Sequence, residues 1–278
     1  MTLELELPEI ETLKRDIEKE FLGRKVKAVE INSMKTFPKH RTKKDVENLL
    51  AGSKIEVVER YGMYIALGFE NENYLVIKLG KSGVLTKGAK KFEGTLVASV
   101  KVTQGGDLQL SDVKNSSTMV VVHKDDLAEA VMDEKRPGFD LQAQPLSWAQ
   151  FGRIVMSREL PLKLLLTDQT IFIGIGDIYS NEILFEAGLK YDRRSDQLST
   201  QEIRRLYRAT VSLLHEASKL GGTSIEKRPF FNLTGEEGLY GAQLAVYGKD
   251  GELSPRSRTE IKKTKFKNQV VYFCKTQV

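Results

Sequence analysis

The sequence predicts an α+β protein: an N-terminal antiparallel β-sandwich with a leading helix, a C-terminal helical domain, and a terminal β-hairpin. Three observations predict this. Short β-branched runs broken by Gly, Asn and Asp fill residues 25–123, a pattern antiparallel in character. Apolar residues recur at helical spacing beyond residue 147. Strand-like runs then return after residue 243, in a segment rich in lysine and arginine.

The leading helix is predicted over residues 8–22. Pro8 suits a first turn, Ile10, Leu13, Ile17 and Phe21 fall on one face, and Gly23 stops the helix. Strands are predicted at 25–31, 54–60, 63–69, 74–79, 96–103, 108–112 and 118–123. Gln104-Gly105-Gly106-Asp107 reads as a hairpin turn. Two packed antiparallel sheets, or a flattened barrel, follow. Residues 123–147 are polar, carry Pro137, Gly138 and Pro145, and read as a linker. Helices are predicted over 148–157 (capped by Ser147), 161–168, 177–187 and 200–219. The last has a capping box, Ser199 with Glu202, an inward face of Ile203, Leu206, Leu213, Leu214 and Ala217, and a Gly221-Gly222 stop. QLAVYGKDGEL and NQVVYFCKTQ, between 243 and 278, are predicted to pair as a hairpin.

Composition narrows the function classes. The chain has 278 residues, 40% hydrophobic and 29% charged, which suits a folded soluble protein of one large or two ordinary domains. No apolar run approaches the ~18 residues of a membrane span. The acidic N-terminus has no secretory pattern, so a cytoplasmic location is expected. One cysteine, Cys274, excludes an intrachain disulfide, and the scattered His40, His123 and His215 argue against a Cys/His metal site. The formal charge is +5, and its distribution is uneven. Residues 1–22 carry seven acids and three bases, whereas residues 254–278 carry seven bases and one acid. Such a tail is either a solvated face or a site for a polyanion.

Within 160–190, two short helices meet at Gly174-Ile175-Gly176. Glycines there either turn the chain between packed helices or let backbone approach something large. The helix starting at 177 would present free N–H groups to a phosphate, with Lys163 nearby in sequence.

ELPEIETLKRDIE at 6–18, with LLLTDQTIFIGIGDIYSNEILFEAGL at 164–189, closely resembles the formamidopyrimidine-DNA glycosylase/endonuclease VIII family of base-excision-repair enzymes. AGSKIEVVERYG, YLVIKLGKSGVL, QLAVYGKDGEL and VYFCKTQ extend the resemblance, in order, over nearly the whole chain. The resemblance implies a β-sandwich domain over 1–130, a helix-two-turn-helix domain over 131–240 that grips the DNA backbone, and a finger hairpin over 241–278. It also implies extrusion of a damaged base from double-stranded DNA into a pocket between domains. A monomer without cofactor is expected, nucleoid-associated in a bacterium or archaeon.

The same alignment marks departures. The family's nucleophile is the amine of an N-terminal proline, and Leu5 stands at that position with four residues before it. Its amide lone pair is delocalised and not nucleophilic; unless the chain is cut before Leu5, the family's Schiff base is not expected. Glu6 matches the catalytic acid, or is one more acid at a helix start. The active-site lysine corresponds to Met63 and the void-filling methionine to Lys81, which also reads as a solvated lysine. The family's Asp-Pro-Arg-Arg-Phe-Gly loop corresponds to Asp112–Ser117, keeping one charge at Lys114. The phosphate-binding asparagine is Asp177, the minor-groove arginine is Gln269, and the four zinc cysteines are Ser254, Ser257, Cys274 and Gln277. Arg256 and Arg258 leave the finger basic. These residues imply a DNA-binding repair protein with a zincless finger and altered or impaired glycosylase/lyase activity, or else a catalytically silent damage sensor.

Overall fold

The computed structural model describes residues 5–88, 94–132 and 138–278. The chain divides into two compact units, each assembled from segments distant in sequence. One comprises the described residues within 9–134 together with 223–238; the other comprises those within 1–8 and 135–222 together with 239–278.

The first unit holds most of helix α1 (Leu7–Phe21) and eight strands. Ile10, Leu13, Ile17 and Phe21 of α1 are all buried, as their spacing predicts. The strands are β1 (Val26–Ile31), β2 (Ile55–Tyr61), β3 (Tyr64–Phe69), β4 (Asn73–Lys78), β5 (Gly83–Lys87), β6 (Leu96–Val102), β7 (Leu108–Asp112) and β8 (Thr118–His123). They form two four-stranded antiparallel sheets, ordered β1-β6-β7-β5 and β2-β3-β4-β8. The β6–β7 turn carries Gly105 and Gly106 at φ 94° and 96°, a conformation that suits glycine.

Two elements here escape the sequence reading. Helix α2 (Lys43–Leu50) buries only Val46 and Leu50, and its capping box closes Thr42 on Asp45 rather than on Glu or Gln. Strand β5 is a short run opened by a glycine. Within the expected linker, residues 124–130 form a 3₁₀ turn and helix α3 (Leu127–Ala130), while residues 133–137 lie outside the described residues.

His40 braces this unit. Its Nε2 accepts the Val121 N–H of β8 at 2.9 Å, which only a neutral ring can do. Burial pushes its pKa below the ordinary 6.5, against a small opposing pull from Asp45. The folded state therefore binds fewer protons than the unfolded one as pH drops below about 6.5, so stability falls there. Urea unfolding between pH 7 and pH 5 should show this loss, with a shallower one in His40→Gln; equal slopes would refute the role of the ring.

The second unit holds α4 (Trp148–Met156), α5 (Leu162–Thr167), α6 (Asp177–Ala187) and α7 (Thr200–Lys219). Ser147 with Gln150 and Ser199 with Glu202 form capping boxes, and Gly188 ends α6 in the left-handed conformation at φ 69°. The terminal hairpin pairs β9 (Lys262–Phe266) with β10 (Gln269–Phe273). Its two-residue turn, Lys267-Asn268, has both φ angles positive, at 46° and 68°, as a type I′ turn requires.

This corrects the expected hairpin. QLAVYGKDGEL is not a strand: it continues from a 3₁₀ turn (Tyr240–Gln243), and the N–H groups of Ala245, Val246 and Tyr247 are taken by the Glu182 carboxylate. The true first strand is KKTKF, whose lysines have low strand preference. Ile261, Val271, Tyr272 and Cys274 share a buried cluster with Phe185 and Val246, which ties the hairpin region to α6.

Candidate functional site

Glu6 is 1% exposed and is the hub of the second unit's glycine turn. Its carboxylate accepts the backbone N–H of Gly176 at 2.6 Å, of Ile178 at 2.8 Å and of Tyr179 at 3.2 Å. Leu7 N–H donates to the Gly174 carbonyl at 2.8 Å, so residues 6 and 7 dock side by side on the turn. The large object that the glycines admit is thus this chain's own carboxylate. A Cβ at Gly176 would sit 2.7 Å from Glu6 Cδ, and Gly174 adopts φ 71°. Gln169 braces the turn, accepting Gly174 N–H at 2.7 Å and donating to the Ile175 carbonyl at 3.0 Å. The expected free N–H groups at the start of α6 are therefore occupied in large part by Glu6. The carboxylate is the acceptor in each of these three contacts.

Lys163, expected at a phosphate, is instead fully buried. Its Nζ donates to Ser180 Oγ at 2.7 Å and lies 3.6 Å from Asp177 Oδ1. Burial pulls the ammonium down to about 8, against the Asp177 and Glu6 carboxylates, which raise it. Asp177 is itself 8% exposed, with its carbonyl accepting Asn181 Nδ2 at 2.6 Å. At the position where the family has its phosphate-binding asparagine, this carboxylate stands beside a buried cation. Breaking this pair on one side leaves a buried charge uncompensated. Lys163→Met should therefore lower stability more than the double change with Asp177→Asn, as read from guanidinium unfolding; equal losses would deny the coupling.

In the first unit, Lys81 and Lys114 are both exposed, on loops bonded to each other. Ser82 Oγ donates to Asp112 and accepts Lys114 N–H at 2.9 Å, and Gly80 N–H donates to Ser117 Oγ at 3.0 Å. Burial would raise the Asp112 carboxyl; the bonds from Ser117, Ser82 and Ser116 outweigh it and hold the carboxyl below its ordinary range. The Asp of the expected loop thus has a structural task, holding the 112–117 segment by these bonds. Met63 sits half-buried in the Gly62-Met63 turn between β2 and β3, where Tyr61 pairs with Tyr64.

The finger positions lie together in a hydrogen-bonded network. Ser257 Oγ lies 3.3 Å from Ser254 Oγ and 3.9 Å from Cys274 Sγ. Gln277 Oε1 accepts Cys274 N–H at 2.9 Å, and its Nε2 donates to the Leu189 carbonyl at 2.8 Å. One thiol, two hydroxyls and a carboxamide do not fit structural zinc. Among the described residues, no group of three or more His, Cys, Asp or Glu is arranged to hold a metal ion. Arg256 bonds the Phe185 and Glu186 carbonyls and the Glu186 carboxylate, so it fastens this segment to the end of α6. Arg258 is exposed at φ 56°. Gln269 Nε2 donates to Thr167 Oγ1 at 2.8 Å.

Sequence reasoning missed Asn181 and Glu182. Glu182 takes three consecutive N–H groups of 245–247, while Asn181 accepts Tyr272 N–H at 2.9 Å and donates to Val270 O at 3.3 Å. Their signal was the polar run Ser180-Asn181-Glu182 in mid-helix, between Ile178 and Ile183, all of it buried. Helix α6 is thereby the frame of this unit, gripping Glu6 at its start and the hairpin region along its length.

An antiparallel sandwich followed in sequence by paired helices around a glycine turn and a closing hairpin defines a recognisable class. Residues 5–119 match the model of the formamidopyrimidine-DNA glycosylase N-terminal domain, and residues 138–228 match that of its H2TH domain. The formamidopyrimidine-DNA glycosylase of Exiguobacterium sibiricum is 31% identical over 278 residues, 98% of this chain and 97% of that one. Among solved structures, Thermus thermophilus MutM (Fpg) matches at 28% identity and TM-score 0.82, over 97% of both chains. The Lactococcus lactis Fpg in complex with DNA containing an oxidised pyrimidine matches at 26% identity and TM-score 0.84, also over 97% of both. The chain belongs to the formamidopyrimidine-DNA glycosylase/endonuclease VIII family.

Proposed function

We propose that this protein binds damaged double-stranded DNA in base excision repair, as a glycosylase/lyase relative whose chemistry is altered or impaired. Support for DNA comes from the family, from the Lactococcus relative's complex with lesion-bearing DNA, and from the basic hairpin region. The observation that carries altered chemistry is the docked N-terminal segment. The family acid is retained as Glu6 but is used as an acceptor by three N–H groups, and the preceding position is a leucine. On this reading, residues 1–130, 131–240 and 241–278 act as sandwich, backbone-gripping and finger segments. Lys81, Lys114 and Arg258 are the exposed cations proposed to meet DNA, and the turn at Gly174, Gly176 and Asp177 supports the grip. The two readings are a glycosylase in which Glu6 activates water and a silent damage sensor. Release of a damaged base from a duplex by the intact protein would decide for the enzyme.

DNA affinity should fall steeply with salt as phosphate contacts release counterions. Deleting residues 254–278 is a poor test, because it strips Ile261, Val271 and Tyr272 from the α6 cluster. The exposed Lys262, Lys263 and Lys265 can instead be changed to Gln. That variant should reduce the log–log salt slope by about 2–3; an unchanged slope would make the hairpin a solvated face. We further propose that the finger folds by strand pairing and the Ser254–Ser257–Cys274–Gln277 network alone. Stoichiometric zinc in elemental analysis of the purified protein would refute this.

A further inference from the structure

A groove of about 510 Å³ on the second unit is lined by Trp148, Arg204, Tyr207, Arg208, Val211 and Ser212 of α4 and α7. None of its residues takes part in the turn, the lysine loops or the finger. Its volume lies in the range of sites that seat a ligand or a few peptide side chains. The floor is firm: Tyr207 is fixed by its hydroxyl on the Leu146 carbonyl at 2.7 Å, with the Phe151 ring 5.5 Å behind it. Trp148 and Val211 remain 40% and 36% exposed, so apolar surface is presented rather than buried. The Arg204 guanidinium lies 4.3 Å from the centre of the Trp148 ring. Arg208 is exposed, one helical turn from Arg204, and among the described residues no carboxylate pairs with either. The lining holds two cations and no acid.

We infer that this groove docks an acidic peptide segment of a partner protein, with one apolar side chain on Tyr207 and Val211 and carboxylates on Arg204 and Arg208. The charge of the lining selects a carboxylate-bearing occupant, and the guanidinium fork suits carboxylates in pairs. Trp, Tyr and Arg around an apolar centre are the residue types that concentrate binding energy at protein interfaces. A nucleic acid fits less well. One face of Trp148 is already covered by Arg204, which blocks base stacking there, and two cations give a phosphate backbone little purchase.

Trp148 is the chain's single tryptophan, so intrinsic fluorescence reports directly on the groove. The probe is a panel of acidic nonapeptides, each with one Phe, Leu or Ile among Asp and Glu residues, added to the full-length protein. At least one member should change Trp148 emission saturably. Replacing its acids by Asn and Gln, or its apolar residue by Ala, should weaken binding about tenfold or more, as should Arg208→Glu in the protein. Arg208 is exposed, so that variant should melt like the parent, which the same fluorescence confirms. No response to any member, or equal affinity for the amide versions, overturns the inference. A single-stranded oligonucleotide giving the same saturable, Arg208-dependent change also overturns it. Lesion-duplex binding, measured separately, belongs to the family reading and does not bear on this outcome.

Discussion

Glu6→Ala should cost about 3–5 kcal/mol of unfolding free energy, a large fraction of what holds a typical domain together. The substitution leaves the N–H groups of Gly176, Ile178 and Tyr179 without their acceptor, all at buried positions. Each unsatisfied buried donor costs about 1–3 kcal/mol, and the start of α6 loses a favourable negative charge as well. Glu6→Gln keeps one carbonyl oxygen and should fall between Ala and the parent. Gly176→Ala attacks the same contact from the other side, since its Cβ would lie 2.7 Å from Glu6 Cδ, and it should destabilise by a comparable amount. Guanidinium unfolding measures all three. The double variant Glu6→Ala with Gly176→Ala should cost less than the sum, because removing the carboxylate makes room for the methyl. Additive losses would show that the two residues act independently and that Glu6 is not the reason for the glycine.

What the sequence made legible was local. The capping box at Ser199 and Glu202, the apolar stripe of α1 and the glycine stop of α7 each act within a few residues, and each is present. Seven strands were placed to within a residue or two because β-branched runs and turn residues mark them. What escaped depends on partners far along the chain. The glycines announced a close approach, but the approaching group, Glu6, lies 170 residues away. Lys163 looked like a surface cation because a lysine ordinarily is one; only the fold shows it buried beside Asp177. Glu9 and Asp16 are two of the seven acids counted over residues 1–22, and they accept Thr223 N–H at 2.7 Å and Leu233 N–H at 3.2 Å. Those bonds draw residues 223–238 into the first unit, which no contiguous partition anticipates. Strand β9 was hidden by its own lysines, although Lys267-Asn268 is a turn whose positive φ angles asparagine tolerates well.

The missing amine gives the second large effect. The intact chain should form no borohydride-trapped adduct on abasic DNA through residues 1–6, because the nitrogen at position 5 is an amide. A variant lacking Met1 to Glu4 and carrying Leu5→Pro would begin with a secondary amine, and α-amino groups titrate near ~8, suitable for attack near neutrality. The geometry makes this a clean chemical change. Residues 6 and 7 are held on the turn, Glu6 by the N–H groups of Gly176, Ile178 and Tyr179 and Leu7 by the Gly174 carbonyl, so the new terminus is positioned by contacts the variant keeps. An amine alone is half a site, since proton transfer by a placed group contributes about 10²–10⁴-fold. The family resemblance puts the active-site lysine at Met63, so adding Met63→Lys is expected to raise trapping over the proline variant; no gain would detach position 63 from the site. The side chain at the Gly62-Met63 turn is only half-buried, so a lysine is accommodated there without a buried charge. If the intact protein, its N-terminus verified by mass spectrometry, is trapped at residues 1–6, the altered-chemistry reading fails. If it is trapped instead at Lys78 or Lys81, the nucleophile has moved to a side chain and the silent-sensor alternative fails. If the doubly altered protein binds abasic DNA yet is not trapped, then amine and lysine are insufficient to make the site.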